Sequence, residues 1–101
     1  MTQTLAQIDA LHAESSALVA QANALRTNSR TEPDLRRALA LYGRAAELAV
    51  ECQLRLLARL TATTTPRALG ATSWVEYVAG QLRISPDEAR LRLRDVAALG
   101  P

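Results

Sequence analysis

Arginine side chains near the end of the sequence carry its most specific chemical signal. Arg90, Arg92 and Arg94 alternate with apolar residues, and Arg83 comes shortly before them. A guanidinium group can bind a guanine edge through two hydrogen bonds, and it can also neutralise a phosphate. If the segment is a helix in a DNA major groove, Arg90, Leu91 and Arg94 face the bases. Arg83 and Arg92 then lie near phosphates, so double-stranded DNA is a candidate partner.

A solvated arginine face explains the same residues without any ligand. Asp87 and Glu88 precede the arginines, in the turn where a helix N-terminus would otherwise attract phosphate. Asp95 adds a further negative charge among the arginines. Because charged stretches are commonly solvent-exposed faces, both interpretations stay open from sequence alone.

These arginines need a pair of short helices to position them, and the sequence predicts such a pair over residues 73–99. Ser73 and Glu76 match a capping box, as do Ser85 and Glu88, with Pro86 at the favoured first helical position. Apolar residues on both sides of the intervening turn can pack together, as in a helix-turn-helix. A glycine is common at the turn position that Arg83 occupies here.

Two segments of the C-terminal third resemble a known family. They are Gly70–Ala79, which reads GATSWVEYVA, and Leu82–Arg90, which reads LRISPDEAR. With the Ala-, Leu- and Arg-rich segment Asp34–Leu60, they are similar to the actinobacterial 13E12 repeat family, a domain of unknown function. That domain commonly precedes an HNH endonuclease domain, so the resemblance implies an association with DNA enzymes. No cluster of His and Asn follows the last predicted helix, and no catalytic residue is carried over.

The rest of the chain predicts a long antiparallel helical hairpin. The sequence has 20 Ala and 17 Leu, seven Val and Ile together and no Phe, a composition that favours helices over strands. The predicted helices cover residues 4–26 and 32–61, with Thr31 as a plausible N-cap of the second, and a Thr-rich linker covers residues 62–72. We therefore expect a single all-α domain over residues 1–101, in which the short helix-turn-helix-like pair follows the hairpin.

Apolar residues on both long helices recur at spacings of three and four, which is typical of helix pairing. The second helix carries two such stripes. The Leu35 stripe comprises Leu35, Leu39, Tyr42, Ala46 and Ala49, and the Leu41 stripe comprises Leu41, Ala45, Leu48, Cys52 and Leu56. A helix with two apolar faces needs cover on both, so we expect a homodimer or a helical protein partner. The candidate interface residues are Ile8, Leu11, Leu18, Leu25, Leu41 and Leu48.

The sequence contains few of the His and Cys residues that many catalytic and metal-binding sites need. One His (His12) and one Cys (Cys52) provide neither a multi-ligand metal site nor a convincing nucleophile and base pair. We therefore expect a non-enzymatic protein with no cofactor, no metal and no small-molecule substrate. The sequence has no apolar run long enough to span a membrane, and its first residues lack the features of a secretory signal. With a single Cys, these features predict a cytoplasmic protein without membrane contact.

Overall fold

The computed structural model describes residues 5–99, and within that range the protein is all-α with no strand. Its four α-helices are α1 (Leu5–Asn28), α2 (Glu32–Thr63), α3 (Trp74–Leu82) and α4 (Pro86–Leu99). A short 3-10 helix, Arg67–Leu69, lies between α2 and α3. The predicted fold class, a long helical hairpin followed by a short helix pair, is confirmed.

Both long helices end later than the sequence predicted. In α2, the Thr63 hydroxyl donates to the Arg59 carbonyl at 3.0 Å and the Thr61 hydroxyl donates to the Ala58 carbonyl at 3.3 Å. The hydroxyls of these threonines bond back to carbonyls of their own helix, a geometry that a helix accommodates, and α2 continues to Thr63. In α1, the Ser29 N–H bonds the Leu25 carbonyl at 3.0 Å, and the last helical turn includes Thr27 and Asn28, which lie beyond the predicted end of the helix.

The described chain divides after Gln53 into two compact units, which we call the N-terminal unit and the C-terminal unit. In the N-terminal unit, α1 runs antiparallel to α2. The Ser15 hydroxyl donates to the Ala45 carbonyl at 3.0 Å, and the Cys52 thiol lies 3.8 Å from the Ile8 carbonyl. Nearer the loop, the Tyr42 hydroxyl donates to the Asn23 side-chain oxygen.

Small residues fill much of the interior of the N-terminal unit. Its buried apolar side chains are Ile8, Ala22, Ala38, Ala45 and Leu48. Three of these five are alanines, and short side chains let two helix backbones approach closely. The small buried side chains therefore allow α1 and α2 to pack closely, in agreement with the hydrogen bond from the Ser15 hydroxyl to the Ala45 carbonyl.

The interface residues predicted from sequence belong largely to this hairpin. Ile8 and Leu48 are buried, and Leu11, Leu18, Leu25 and Leu41 are half-buried. The prediction of an interface between chains is therefore wrong for Ile8 and Leu48, which are core residues of the chain itself. The error has a physical origin, because spacings of three and four suit pairing within a chain as well as between chains.

The C-terminal unit has its own apolar core, built from the end of α2 and from α3 and α4. Its buried residues are Leu57, Ala58, Val78, Ala89 and Val96. Half-buried apolar residues surround them, among them Leu82, Ile84 and Leu93. This core fixes α3 against α4 and so determines which side of α4 faces solvent.

Candidate nucleic-acid interface

The start of α3 is fixed by a side-chain cap, as the sequence predicted. The Ser73 hydroxyl accepts a hydrogen bond from the Glu76 N–H at 3.1 Å, which satisfies one of the free donors of the first turn. Trp74, the first residue of α3, is half-buried, and its ring meets that of Tyr77 edge-on with the centroids 5.8 Å apart. The cap fixes the residue at which α3 begins, and the aromatic pair packs within its first turn.

Glu76 makes a contact that the sequence analysis did not identify. Its carboxylate accepts hydrogen bonds from the Thr72 hydroxyl and from the Thr72 N–H, the latter at 3.2 Å. A reciprocal capping box would instead direct this carboxylate to the N–H of Ser73. The hydrogen bonds, that from the Thr72 hydroxyl first, lower the pKa of Glu76 from its ordinary value of 4.5 because they favour the ionised form.

A tight turn between α3 and α4 forms the corner that the helix-turn-helix prediction requires. Arg83 ends α3 in the left-handed conformation, with φ 55° and ψ 48°, and the Ile84 N–H bonds the Ala79 carbonyl at 3.2 Å. Ile84 packs against the core of the C-terminal unit, which is the apolar contact expected of this kind of helix end. Arg83 thus adopts the backbone geometry for which glycine is usual.

The start of α4 matches its prediction in two respects and departs from it in a third. Pro86 is the first helical residue, and the Ser85 hydroxyl accepts from the Glu88 N–H at 3.1 Å. The Glu88 carboxylate, however, accepts from the Arg92 Nε at 3.2 Å, one turn further along the helix. The negative charge of Glu88 is therefore directed along α4 towards an arginine.

Arg90, Leu91 and Arg94 lie together on the exposed side of α4. Arg90 and Arg94 are four residues apart, so they occupy adjacent turns of one face, away from the buried Ala89 and Val96. Leu91 is 43% exposed between them. The three residues predicted to face DNA bases are thus brought to one accessible surface.

An ion pair within α4 reduces the free charge of this surface. Arg90 Nη1 lies 2.7 Å from the Asp87 carboxylate, and both side chains are largely exposed to solvent. Exposed pairs of this kind contribute only about 0–1 kcal/mol, so solvent or another anion can replace Asp87 at little cost. The pair leaves Arg90 accessible.

The other two candidate DNA contacts are placed differently. Arg83 is exposed, but it belongs to the turn and not to α4. The side chain of Arg92 is only 18% exposed, because it lies at the edge of the core face and pairs with Glu88. Arg92 is therefore separated from the face formed by Arg90, Leu91 and Arg94.

Charge is unevenly divided between the two units. From Leu54 to Leu99 the sequence has seven arginines against four carboxylates, whereas from Leu5 to Gln53 it has five arginines against six carboxylates. The unit that contains the α3–α4 corner is therefore the basic one, at a net charge of +3. A modest positive charge of this size favours contact with polyanions without creating a densely basic surface.

Other chemistry is not assembled in the described part of the chain. Residues 5–99 contain no group of three or more His, Cys, Asp and Glu side chains placed to hold a metal ion. His12 is exposed on α1, and Cys52 is half-buried with its thiol near the Ile8 carbonyl. No helix within residues 5–99 combines the length and apolar character that crossing a bilayer requires.

Comparison with known proteins found no similar protein. No protein-family model, no curated protein and no solved structure matches the chain.

Proposed function

We propose that this chain is a non-catalytic module that binds double-stranded DNA or has a regulatory role, through the corner formed by α3 and α4. In this proposal it acts in the cytoplasm as a 13E12-repeat-like domain, with no cofactor and no small-molecule substrate. The observation that carries the proposal is the accessible face of Arg90, Leu91 and Arg94 on a helix that follows a tight, capped turn.

The ion pair between Arg90 and Asp87 is too weak to prevent DNA contact. Releasing Arg90 from Asp87 costs about 0–1 kcal/mol, because both side chains are largely exposed. A bidentate contact between an arginine and a guanine edge contributes about 1–3 kcal/mol of discrimination. Asp87 is therefore only a weak competitor for the Arg90 guanidinium.

A fluorescence-anisotropy titration with duplex DNA tests this proposal. We expect binding at low salt that weakens as salt rises, since each phosphate contact releases counterions. Arg90→Ala and Arg94→Ala should each weaken binding by about 5- to 100-fold if the side chain contacts a base. Arg44→Ala is the matched control, because Arg44 forms a similar exposed pair with Glu47 at 3.0 Å in the N-terminal unit and should leave affinity unchanged.

Two outcomes would contradict the proposal. The first is no detectable binding at about 50 μM protein in low salt, where non-specific contacts are strongest. The second is binding that Arg44→Ala weakens as much as Arg90→Ala, because the signal would then report only the overall charge of the protein.

A second candidate function is a protein-interaction or dimerisation module without nucleic-acid contact. The specific observation in its favour is Leu39, which is 73% exposed in the first third of α2. Large apolar side chains with this exposure, in line with others, commonly mark an interaction surface. Association of the purified chain in light scattering, together with failure of the DNA titration, would favour this function over the first.

A further inference from the structure

The Leu35 stripe is the apolar face of α2 that the hairpin does not cover. Leu35 and Leu39 are 43% and 73% exposed, Ala46 and Ala49 are exposed, and Tyr42 is half-buried. In the Leu41 stripe, by contrast, Ala45 and Leu48 are buried. Within the N-terminal unit, the Leu41 stripe thus lies inside the hairpin, and the Leu35 stripe lies on the surface.

We infer that a second copy of this chain covers the Leu35 stripe, with the two α2 helices antiparallel about a twofold axis near Tyr42. This inference rests on the second candidate function and specifies its partner and its surface. It does not depend on DNA binding. Its residues all belong to the N-terminal unit, whereas the candidate DNA contacts belong to the C-terminal unit.

The order of large and small residues along the stripe favours the antiparallel direction. Leu35 and Leu39 occupy its first half, and Ala46 and Ala49 occupy its second half. In an antiparallel pair, the leucines of each copy face the alanines of the other, which lets large side chains fill the space beside small ones. A parallel pair would place leucine against leucine and alanine against alanine, so that one end is crowded and the other leaves a gap.

Charges beside the stripe are complementary in the same arrangement. Arg36 and Glu47 are eleven residues apart, about three helical turns, and so lie on the same flank of the stripe. In a twofold antiparallel pair, this flank of one helix meets the same flank of the other. Arg36 of each copy then lies across from Glu47 of the other copy, which gives two opposite-charge contacts from one pair of residue types.

Both side chains are available for these contacts. Arg36 lies 3.6 Å from Glu32 and Glu47 lies 3.0 Å from Arg44, in pairs whose side chains are more than half exposed. Such pairs exchange partners at little cost. The stripe runs about 22 Å along α2, so the interface is smaller than that of a tight complex, and we expect a dissociation constant on the order of 10 μM.

Sedimentation velocity of the full chain tests the inference. The wild-type chain should shift from monomer to dimer between about 1 μM and 200 μM. Leu39→Glu should abolish the dimer, because it buries a charge within the stripe. Leu5→Glu is the matched control, since Leu5 is 58% exposed at the start of α1 and outside the stripe, and it should leave the dimer intact.

A charge reversal tests the antiparallel direction. Arg36→Glu alone and Glu47→Arg alone should each weaken association about fivefold or more, and the double variant should restore it. Circular dichroism of each variant checks that the helices are retained. A chain that stays monomeric throughout, a dimer that survives Leu39→Glu, or a double reversal that restores nothing would each overturn the inference. A monomeric chain would leave the stripe to a different protein partner.

Discussion

Replacing Arg83 by glycine should stabilise the protein, although it removes an arginine from the candidate DNA-binding corner. Arg83 ends α3 at φ 55° and is the only residue other than glycine with a positive φ among residues 5–99. The left-handed conformation costs a residue with a Cβ atom about 1–2 kcal/mol. Glycine avoids this cost but loses about 0.5–1 kcal/mol through its greater freedom in the unfolded chain. We therefore expect Arg83→Gly to raise the free energy of unfolding by about 0.75 kcal/mol, the midpoint of a range of about 0–1.5 kcal/mol.

Urea denaturation followed by circular dichroism measures this difference. A gain of this size raises the midpoint by about 0.5 M urea in a small domain with an unchanged slope. Arg83→Ala is the first control, because it removes the same guanidinium group and keeps the Cβ atom, so it should not be stabilising. Gln81→Gly is the second control, since Gln81 is an exposed residue inside α3, where glycine should destabilise by about 1 kcal/mol.

The order of stability among these variants tests whether Arg83 carries this backbone cost. We expect Arg83→Gly to be more stable than the wild type, the wild type to equal or slightly exceed Arg83→Ala, and Gln81→Gly to be the least stable. If Arg83→Gly is no more stable than Arg83→Ala, the turn does not store this backbone cost and the reasoning is refuted. In the DNA titration, both Arg83 variants should lower the salt dependence of binding by about one phosphate contact if Arg83 lies near the backbone.

Three further predictions concern the C-terminal unit. Folding lowers the pKa of Glu76, so its carboxylate stabilises the fold above its ordinary pKa of 4.5 and loses this effect as the pH falls through the folded value. Glu76→Gln should therefore reduce the acid sensitivity of Tm, and equal sensitivity in both proteins would contradict the prediction. Ser85→Ala should destabilise by about 1 kcal/mol through loss of the cap of α4, whereas Ser16→Ala inside α1 should not, as measured by urea denaturation. Val78→Ala should cost about 2 kcal/mol in the same assay because it leaves a cavity in the core, and a loss below about 0.5 kcal/mol would contradict the assigned packing.

Local features of the fold were predictable because neighbouring residues determine them. The caps at Ser73 and Ser85 follow from a serine three residues before a glutamate, and the structure forms both of them. Helix ends were less predictable, since whether a threonine hydroxyl turns back to its own helix, as that of Thr63 does, depends on a side-chain rotamer. The break near the end of α2 was consequently placed too early.

Long-range packing was the part that the sequence could not decide. Both stripes of α2 have spacings that suit a partner helix, and nothing local distinguishes the one that α1 covers. The same ambiguity led Ile8 and Leu48 to be predicted as contacts between chains, although they are buried within one.

For the candidate site, the sequence correctly grouped Arg90, Leu91 and Arg94 on one face of a helix. It placed Arg92 near phosphate together with Arg83, although the spacing of four between Glu88 and Arg92 indicates an ion pair along α4. A carboxylate one helical turn before an arginine is a local signal, and it distinguishes Arg92 from Arg83, which has no carboxylate at that spacing.

The alanine-filled interior of the hairpin has a consequence for how the protein responds to temperature. Three of the five buried side chains of the N-terminal unit, those of Ala22, Ala38 and Ala45, bury only a methyl group, so unfolding of this unit hydrates less hydrocarbon than a core of larger side chains would. The heat capacity of unfolding scales with newly hydrated apolar surface, and this unit should fall below the usual value of about 12–15 cal/mol/K per residue. Its stability should therefore change gradually on heating or cooling, with a broad maximum instead of a narrow one.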